Sequence, residues 1–356
     1  MKLFECQKCG QLLYFENTRC ERCGTTLGYL PSAEILSALE PKGDNLWEPL
    51  AQSGRTYIFC ANAAHGVCNW MAPAEEARQF CIACQLNRTI PNLADPEQRR
   101  HWWLLEGVKH RLIYSVLRLG LALITKQDDP DKGLAFDFLA DPGNETRGTA
   151  SIMTGHLSGV ITIDAAEADP AERERRRAGL AESYRTLPGH FRHEIGHYYW
   201  NRLFPEEAQL AAFRNRFGDE RADYGQALEA YYASGPPADW RNCFVSAYAS
   251  AHPWEDWAET WAHYLHIVDT METASAFGIA PRKKVVSRSE LATDLNFDPY
   301  READFDRLIE AWLPLTYAVN SLNRSMGQPD LYPFVLSPAA IDKLRFVHEQ
   351  IGQTRR

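Results

Sequence analysis

Nowhere in its 356 residues does the chain carry the ~20 consecutive apolar residues that a membrane-spanning helix needs; the longest apolar stretch, Leu112 to Ile124, is shorter and is interrupted by Arg118. No membrane partner is expected. The opening residues, MKLFECQKCG, lack the apolar core of a secretory signal, so the cytoplasm is the expected compartment. An excess of positive charge is also missing: the formal net charge is -9, which argues against a polyphosphate backbone as the main partner, and no nucleic-acid binding is expected. There is no internal repeat and no low-complexity tract. With 24% charged and 45% hydrophobic residues, the composition excludes disorder, collagen and coiled coil as descriptions of the whole, and the length leaves room for two or more domains.

Cysteine is nearly absent after residue 84, where only Cys243 remains, and this one reads as a buried apolar thiol. The other eight fall into two groups of four. The first, Cys6, Cys9, Cys20 and Cys23, forms two C-x-x-C-G turns. In each turn the glycine after the second cysteine permits a positive φ, so that both thiolates can reach one metal ion. Two such turns close a tetrahedral four-thiolate zinc site. The second group, Cys60, Cys68, Cys81 and Cys84, is less regular but is read the same way, with His65 as a further nearby donor. In a reducing compartment this spacing favours metal ligation over disulfides, and a region this small needs metal binding to fold. Residues 1–100 hold 10 Lys plus Arg against 11 Asp plus Glu, so the cysteine region presents no basic face. A regulatory, protein-recognition role suits it better, beside the plainer role of a structural cap.

A polar, proline-containing stretch after Cys84 places the domain boundary near residue 98: a zinc-ribbon region over 1–98 and a second domain over 99–356. Apolar residues at three- and four-residue spacing from His101 to Leu123 predict a helix with one buried face. Leu134 to Leu139 and Ser151 to Asp164 read as strands, the second broken by glycine, and the remainder is helix-rich, with a loop around Gly278 to Arg288. Strands followed by helices predict an α+β domain that is mostly helical with a small sheet.

The segment His193-Glu194-Ile195-Gly196-His197 is H-E-x-x-H. On a helix, positions four apart share a face, so His193 and His197 can bind one zinc ion while Glu194 lies beside it as a general base for water. A third ligand is needed, and the candidates are Glu220 and Asp223, Glu255 and Asp256, and Glu259 with His263. The segment His252 to His266 is the most persuasive: Pro253 suits a helix start, and Glu255, Glu259 and His263 then lie along one stripe of a Trp- and Ala-rich helix, where carboxylates are costly unless paired or metal-bound. Glu255 is taken as the ligand and Glu259 as the acid that orients an imidazole, with the exchange of these two roles as the alternative.

TLPGHFRHEIGHYYW, SAYASAHPWEDWAETWAHYLH and the cysteine-rich head together resemble the bacterial family of zinc-ribbon-containing zinc metallopeptidases, over essentially the whole chain. The catalytic half also resembles gluzincins of the anthrax lethal factor type, whose third ligand begins an E-x-x-x-E helix with a tyrosine seven residues upstream. The resemblance implies Glu255 as ligand, Glu259 as supporting acid and Tyr248 as a hydrogen-bond donor to the developing oxyanion. The stretch between His197 and Glu255 is longer than in that type. In zincins the substrate lies along an edge strand, for which Ser151 to Asp164, with His156, is the candidate. The expected function is a zinc-dependent peptidase acting on a peptide or protein substrate, with one catalytic and two structural zinc ions. A catalytically silent zinc-dependent adaptor is the alternative.

Overall fold

The computed structural model describes residues 2–140, 154–179, 185–282 and 292–355. The chain folds into two compact units: Met1–Leu117 with Ala122–Arg175, and Arg118–Leu121 with Arg176–Arg356. The fold is α+β, and among the described residues every strand lies in the first unit.

The first unit begins with a hairpin of β1 (Phe4–Glu5) and β2 (Leu12–Leu13). Gly10 and Gly24, one residue after Cys9 and Cys23, sit at φ +70° and +71°, the left-handed conformation that a C-x-x-C-G turn requires. Each glycine amide donates to the carbonyl of the first cysteine of its turn, Cys6 or Cys20, at 2.8 Å. An antiparallel meander follows in chain order: β3 (Leu27–Leu30), β4 (Ile35–Gly43), β5 (Leu46–Pro49), β6 (Tyr57–Phe59) and β7 (Met71–Pro73). Then come β8 (Asn87–Thr89), α1 (Pro96–Arg118), β9 (Ala135–Leu139), β10 (Gly155–Leu157) and β11 (Val160–Asp164). The second sheet has the order β10-β11-β9-β8, with β11, β9 and β8 mutually parallel and β10 antiparallel at the edge. Phe15, Tyr29, Trp70 and Tyr114 fill the core with edge and tilted ring contacts at 4.8–5.4 Å, so the long helix closes on the cysteine-bearing sheet through its tyrosine.

Three expectations change. The helix expected from His101 to Leu123 begins at Pro96 and stops at Arg118, because Gly120, at φ +71°, turns the chain out of the helical path. The strand expected over Ser151 to Asp164 is a tight hairpin across Ser158 and Gly159; its residues 151–153 lie outside the described residues, as do 283–288 of the expected loop. His156 serves that hairpin, its Nε2 accepting from the Gly159 amide at 3.1 Å. Cys243, expected to be buried, is exposed: it ends a single helical turn and no apolar face shields it.

After α2 (Pro170–Gly179), the second unit holds α3 (Leu187–Leu203), α4 (Glu207–Phe217), α5 (Tyr224–Ser234), α6 (Trp240–Cys243), α7 (Pro253–Ala276), α8 (Phe305–Ser325) and α9 (Pro338–Thr354). Thr186 caps α3 by accepting from the Gly189 amide, and His252 caps α7 through Nδ1, which accepts from the Trp254 amide, with Pro253 in the first turn as expected. α3 and α7 pack directly against each other. Gly196 makes this possible: a Cβ there would lie 3.1 Å from Ala258 Cα and 3.2 Å from Trp261 Cβ. Trp257 seals the same crossing, donating from Nε1 to the Gly196 carbonyl at 2.9 Å. Around it Phe204, Phe213, Phe217 and Phe346 form the aromatic core. A buried ion pair between Asp256 and Lys343 ties α7 to α9 at 2.5 Å; burial pushes the Asp256 carboxyl up to about 7 in spite of the lysine beside it.

Candidate metal centre

The tight α3–α7 crossing determines which side chains meet. His193 and His197 are one helical turn apart on α3, and Glu255 stands in the first turn of α7, buried at 1% exposure. Their donor atoms converge: His193 Nε2 lies 3.2 Å from His197 Nε2 and 3.0 Å from Glu255 Oε2, and His197 Nε2 lies 3.5 Å from Glu255 Oε1. The tautomer of His193 follows from its other nitrogen. Nδ1 is 2.8 Å from Glu259 Oε1, a carboxylate oxygen that accepts, so Nδ1 carries a proton and Nε2 is the nitrogen left to meet a metal ion. Glu259 is held in turn by the Ser246 hydroxyl, which donates to Oε2 at 2.6 Å. Glu255 Oε2 is buried with no hydrogen-bond partner among the described residues. A carboxylate oxygen 3.0 Å from an imidazole nitrogen, both out of water, needs a positive charge between them, a proton on that nitrogen or a metal ion in its place. Two imidazoles and a carboxylate, with a carboxylate behind one of the rings, could hold a metal ion and match the donor set that zinc hydrolases use.

Glu194, next to His193 on α3, is buried at 8% exposure and lies close enough to His193, His197 and Glu255 to feel their charge. Burial raises its carboxyl above the ordinary range, moderated by the two histidines. The Tyr248 ring centroid is 6.0 Å from that of His193, and burial, with Glu255 close by, keeps its phenol protonated. Of the other candidate ligands, Glu220 is engaged by Arg214 at 2.6 Å, Asp223 caps α5 by accepting from the Gln226 amide, and His263 bonds the Tyr332 hydroxyl at 2.7 Å. Asp256 turns to Lys343. The structure thus gathers Glu255 with the two histidines and leaves these four elsewhere.

The first unit carries two four-cysteine clusters. Cys6 Sγ to Cys23 Sγ is 3.7 Å and Cys9 Sγ to Cys20 Sγ is 3.6 Å; in the second cluster Cys68 Sγ to Cys81 Sγ is 3.7 Å. These separations are far beyond the ~2.05 Å of a disulfide and close to the edge of a tetrahedron built on Zn–S bonds of about 2.3 Å. Within each cluster all four sulfurs lie inside 4.8 Å of one another. His65 is outside both donor groups, its ring 5.8 Å from that of Trp102.

Sequence reasoning missed three neighbours of these centres. Ser246 supports Glu259, and Tyr224 donates to Glu255 Oε1 at 2.8 Å. His110 of α1 places Nε2 3.3 Å from Cys68 Sγ and 3.7 Å from Cys84 Sγ, while its Nδ1 donates to the Glu106 carbonyl at 2.6 Å. None of the three is near its partner in sequence.

Residues 98–350 match the family model described as "Putative zinc-binding metallo-peptidase", and residues 3–95 match a zinc-ribbon domain. The chain belongs to this metallopeptidase family. An uncharacterized protein of Mycobacterium bovis and two of Mycobacterium tuberculosis are each 40% identical over 354 residues, which is 99% of this chain and 96% of theirs. No solved structure matches. Membership in the family and the two cysteine clusters support zinc as the metal. Among the described residues, no helix is long and apolar enough to cross a membrane.

Proposed function

We propose that the protein is a zinc-dependent peptidase whose catalytic ion is held by His193, His197 and Glu255, and whose two cysteine clusters hold structural zinc. The observation that supports this reading is the convergence of His193 Nε2, His197 Nε2 and Glu255 Oε2, with Glu259 Oε1 2.8 Å from the opposite nitrogen of His193. A zinc ion bound there supplies Lewis acidity, lowering the pKa of a water and polarising a peptide carbonyl. The side chains supply the rest. Glu194 takes the proton of the attacking water and passes it to the departing amine nitrogen. Tyr248 donates a hydrogen bond to the carbonyl oxygen as that oxygen gains charge. Glu259 and Ser246 keep the His193 ring in one tautomer and orientation throughout.

Digestion of a peptide library, read by mass spectrometry on wild type and Glu194→Gln with zinc content measured on the same samples, tests the proposal. Wild type cleaves, and the variant keeps its metal and loses at least 100-fold in rate, the lower end of what a positioned acid–base group contributes, about 10²–10⁴-fold. Turnover retained by Glu194→Gln would remove Glu194 from the role of base. A wild type that is fully loaded and cleaves nothing would favour a zinc-dependent binding protein.

A further inference from the structure

The stretch between the two halves of the catalytic centre, from His197 to Glu255, contains α5, and α5 has none of its residues buried. Such a helix has no apolar core of its own to hold it. Its first residue supplies the link. The Tyr224 hydroxyl donates to Glu255 Oε1 at 2.8 Å, and the Tyr224 ring lies 5.2 Å from that of His252 and 5.8 Å from that of Trp254, the residues that open α7. Asp223 sets the helix start by capping the Gln226 amide, so the phenol leaves α5 at a fixed point. Further along, Tyr231 lies 5.8 Å ring to ring from Tyr248.

A monodentate carboxylate has two oxygens, and the one that meets a metal is selected by what binds the other. Here Oε1 is engaged by the phenol, while Oε2 is buried and 3.0 Å from His193 Nε2. We propose that Tyr224 is a positioning residue of the metal centre: its hydroxyl holds Glu255 Oε1 so that Oε2 faces the ion, and the docking of α5 thereby sets the affinity of the site. This rests on the reading above that Glu255 is the third ligand. Sequence comparison with the lethal factor type brings in Tyr248 and not Tyr224, because α5 belongs to the stretch that is longer here. The two tyrosines then have separable duties: in the reading above Tyr248 serves the reacting carbonyl, and Tyr224 contacts the ligand.

The test is metal binding by the full-length chain and does not depend on hydrolysis. The labile ion is exchanged for Co(II) with both cysteine clusters left loaded, and Co(II) affinity is measured by chelator competition alongside the visible spectrum. Tyr224→Phe keeps the ring, removes only the hydroxyl, and changes a residue that is 37% exposed. It is expected to bind Co(II) about tenfold or more weakly, within the 10–100-fold range for outer hydrogen-bond partners of metal ligands, with a shifted visible spectrum and unchanged helical circular dichroism. Tyr248→Phe is expected to keep the wild-type affinity. Affinity and spectrum equal to wild type in Tyr224→Phe, or a weakening that comes only with loss of helicity, would overturn the proposal. A wild type that takes up no Co(II) at all is a different result, and would overturn the assignment of the ligands themselves.

Discussion

Glu255 and Glu259 are four residues apart on one helix, and chemically they are the same side chain; their different surroundings separate their roles. Glu255 sits where two imidazole nitrogens converge, whereas Glu259 takes the outward nitrogen of one ring and is itself held by Ser246. Glu259→Gln should therefore weaken zinc at the histidine site about tenfold without abolishing it, since an amide oxygen can still accept from Nδ1. Glu255→Gln should empty the site. Chelator competition on both variants measures this, and the reverse ranking would mean that the two roles are exchanged. The sequence showed the pair because their spacing is a local property of one helix. Tyr224, Ser246 and His110 were not legible, since each acts on a partner 13 to 42 residues away through contacts that exist only after folding. Cys243 misled because aromatic and small neighbours in sequence do not surround it in space.

At the level of elements, the centre depends on how closely α3 approaches α7. Gly196 stands inside the H-E-x-x-H motif at a position the motif leaves open, and the α7 backbone begins 3.1 Å from where its Cβ would be. Ala258 Cα cannot retreat as a flexible side-chain end could. Gly196→Val should cost about 2 kcal/mol or more, since overpacking costs about 1–3 kcal/mol and a β-branched residue adds to it. Thermal unfolding would show the loss, and zinc retention at the histidine site should fall with it because the crossing also sets the distance from His197 to Glu255. A Tm equal to wild type would show that the two helices have slack. Both helices could be read in advance: α7 from Pro253 at its start, and each from ligand-type residues at four-residue steps. Their packing could not, because nothing in a single sequence says which glycine faces which backbone.

Across the whole molecule, the α+β class and the separation of two four-cysteine groups from a histidine and carboxylate group were legible, since the groups rest on residue types whose spacing is constrained by coordination geometry. The limits of the compact units were less so. The sequence changes character near residue 98, and the two family models likewise abut between residues 95 and 98, yet α1 and the β8–β11 sheet belong with the cysteine clusters in one compact unit. Tyr114 and His110 on α1 show the physical cause: one joins the ring core around Trp70 and the other touches Cys68, so the helix is packed as part of that unit. Composition registers where the chain changes its use of cysteine, and packing registers where contacts end.

A zinc ion held by three side chains from α3 and α7, in addition to one in each cysteine cluster, can be counted by native mass spectrometry of the intact chain. The wild type, purified with zinc present, should carry three ions. The double variant His193→Ala/Glu255→Ala should carry two and keep its fold by circular dichroism. Three ions in that variant, or only two in the wild type, would contradict the account.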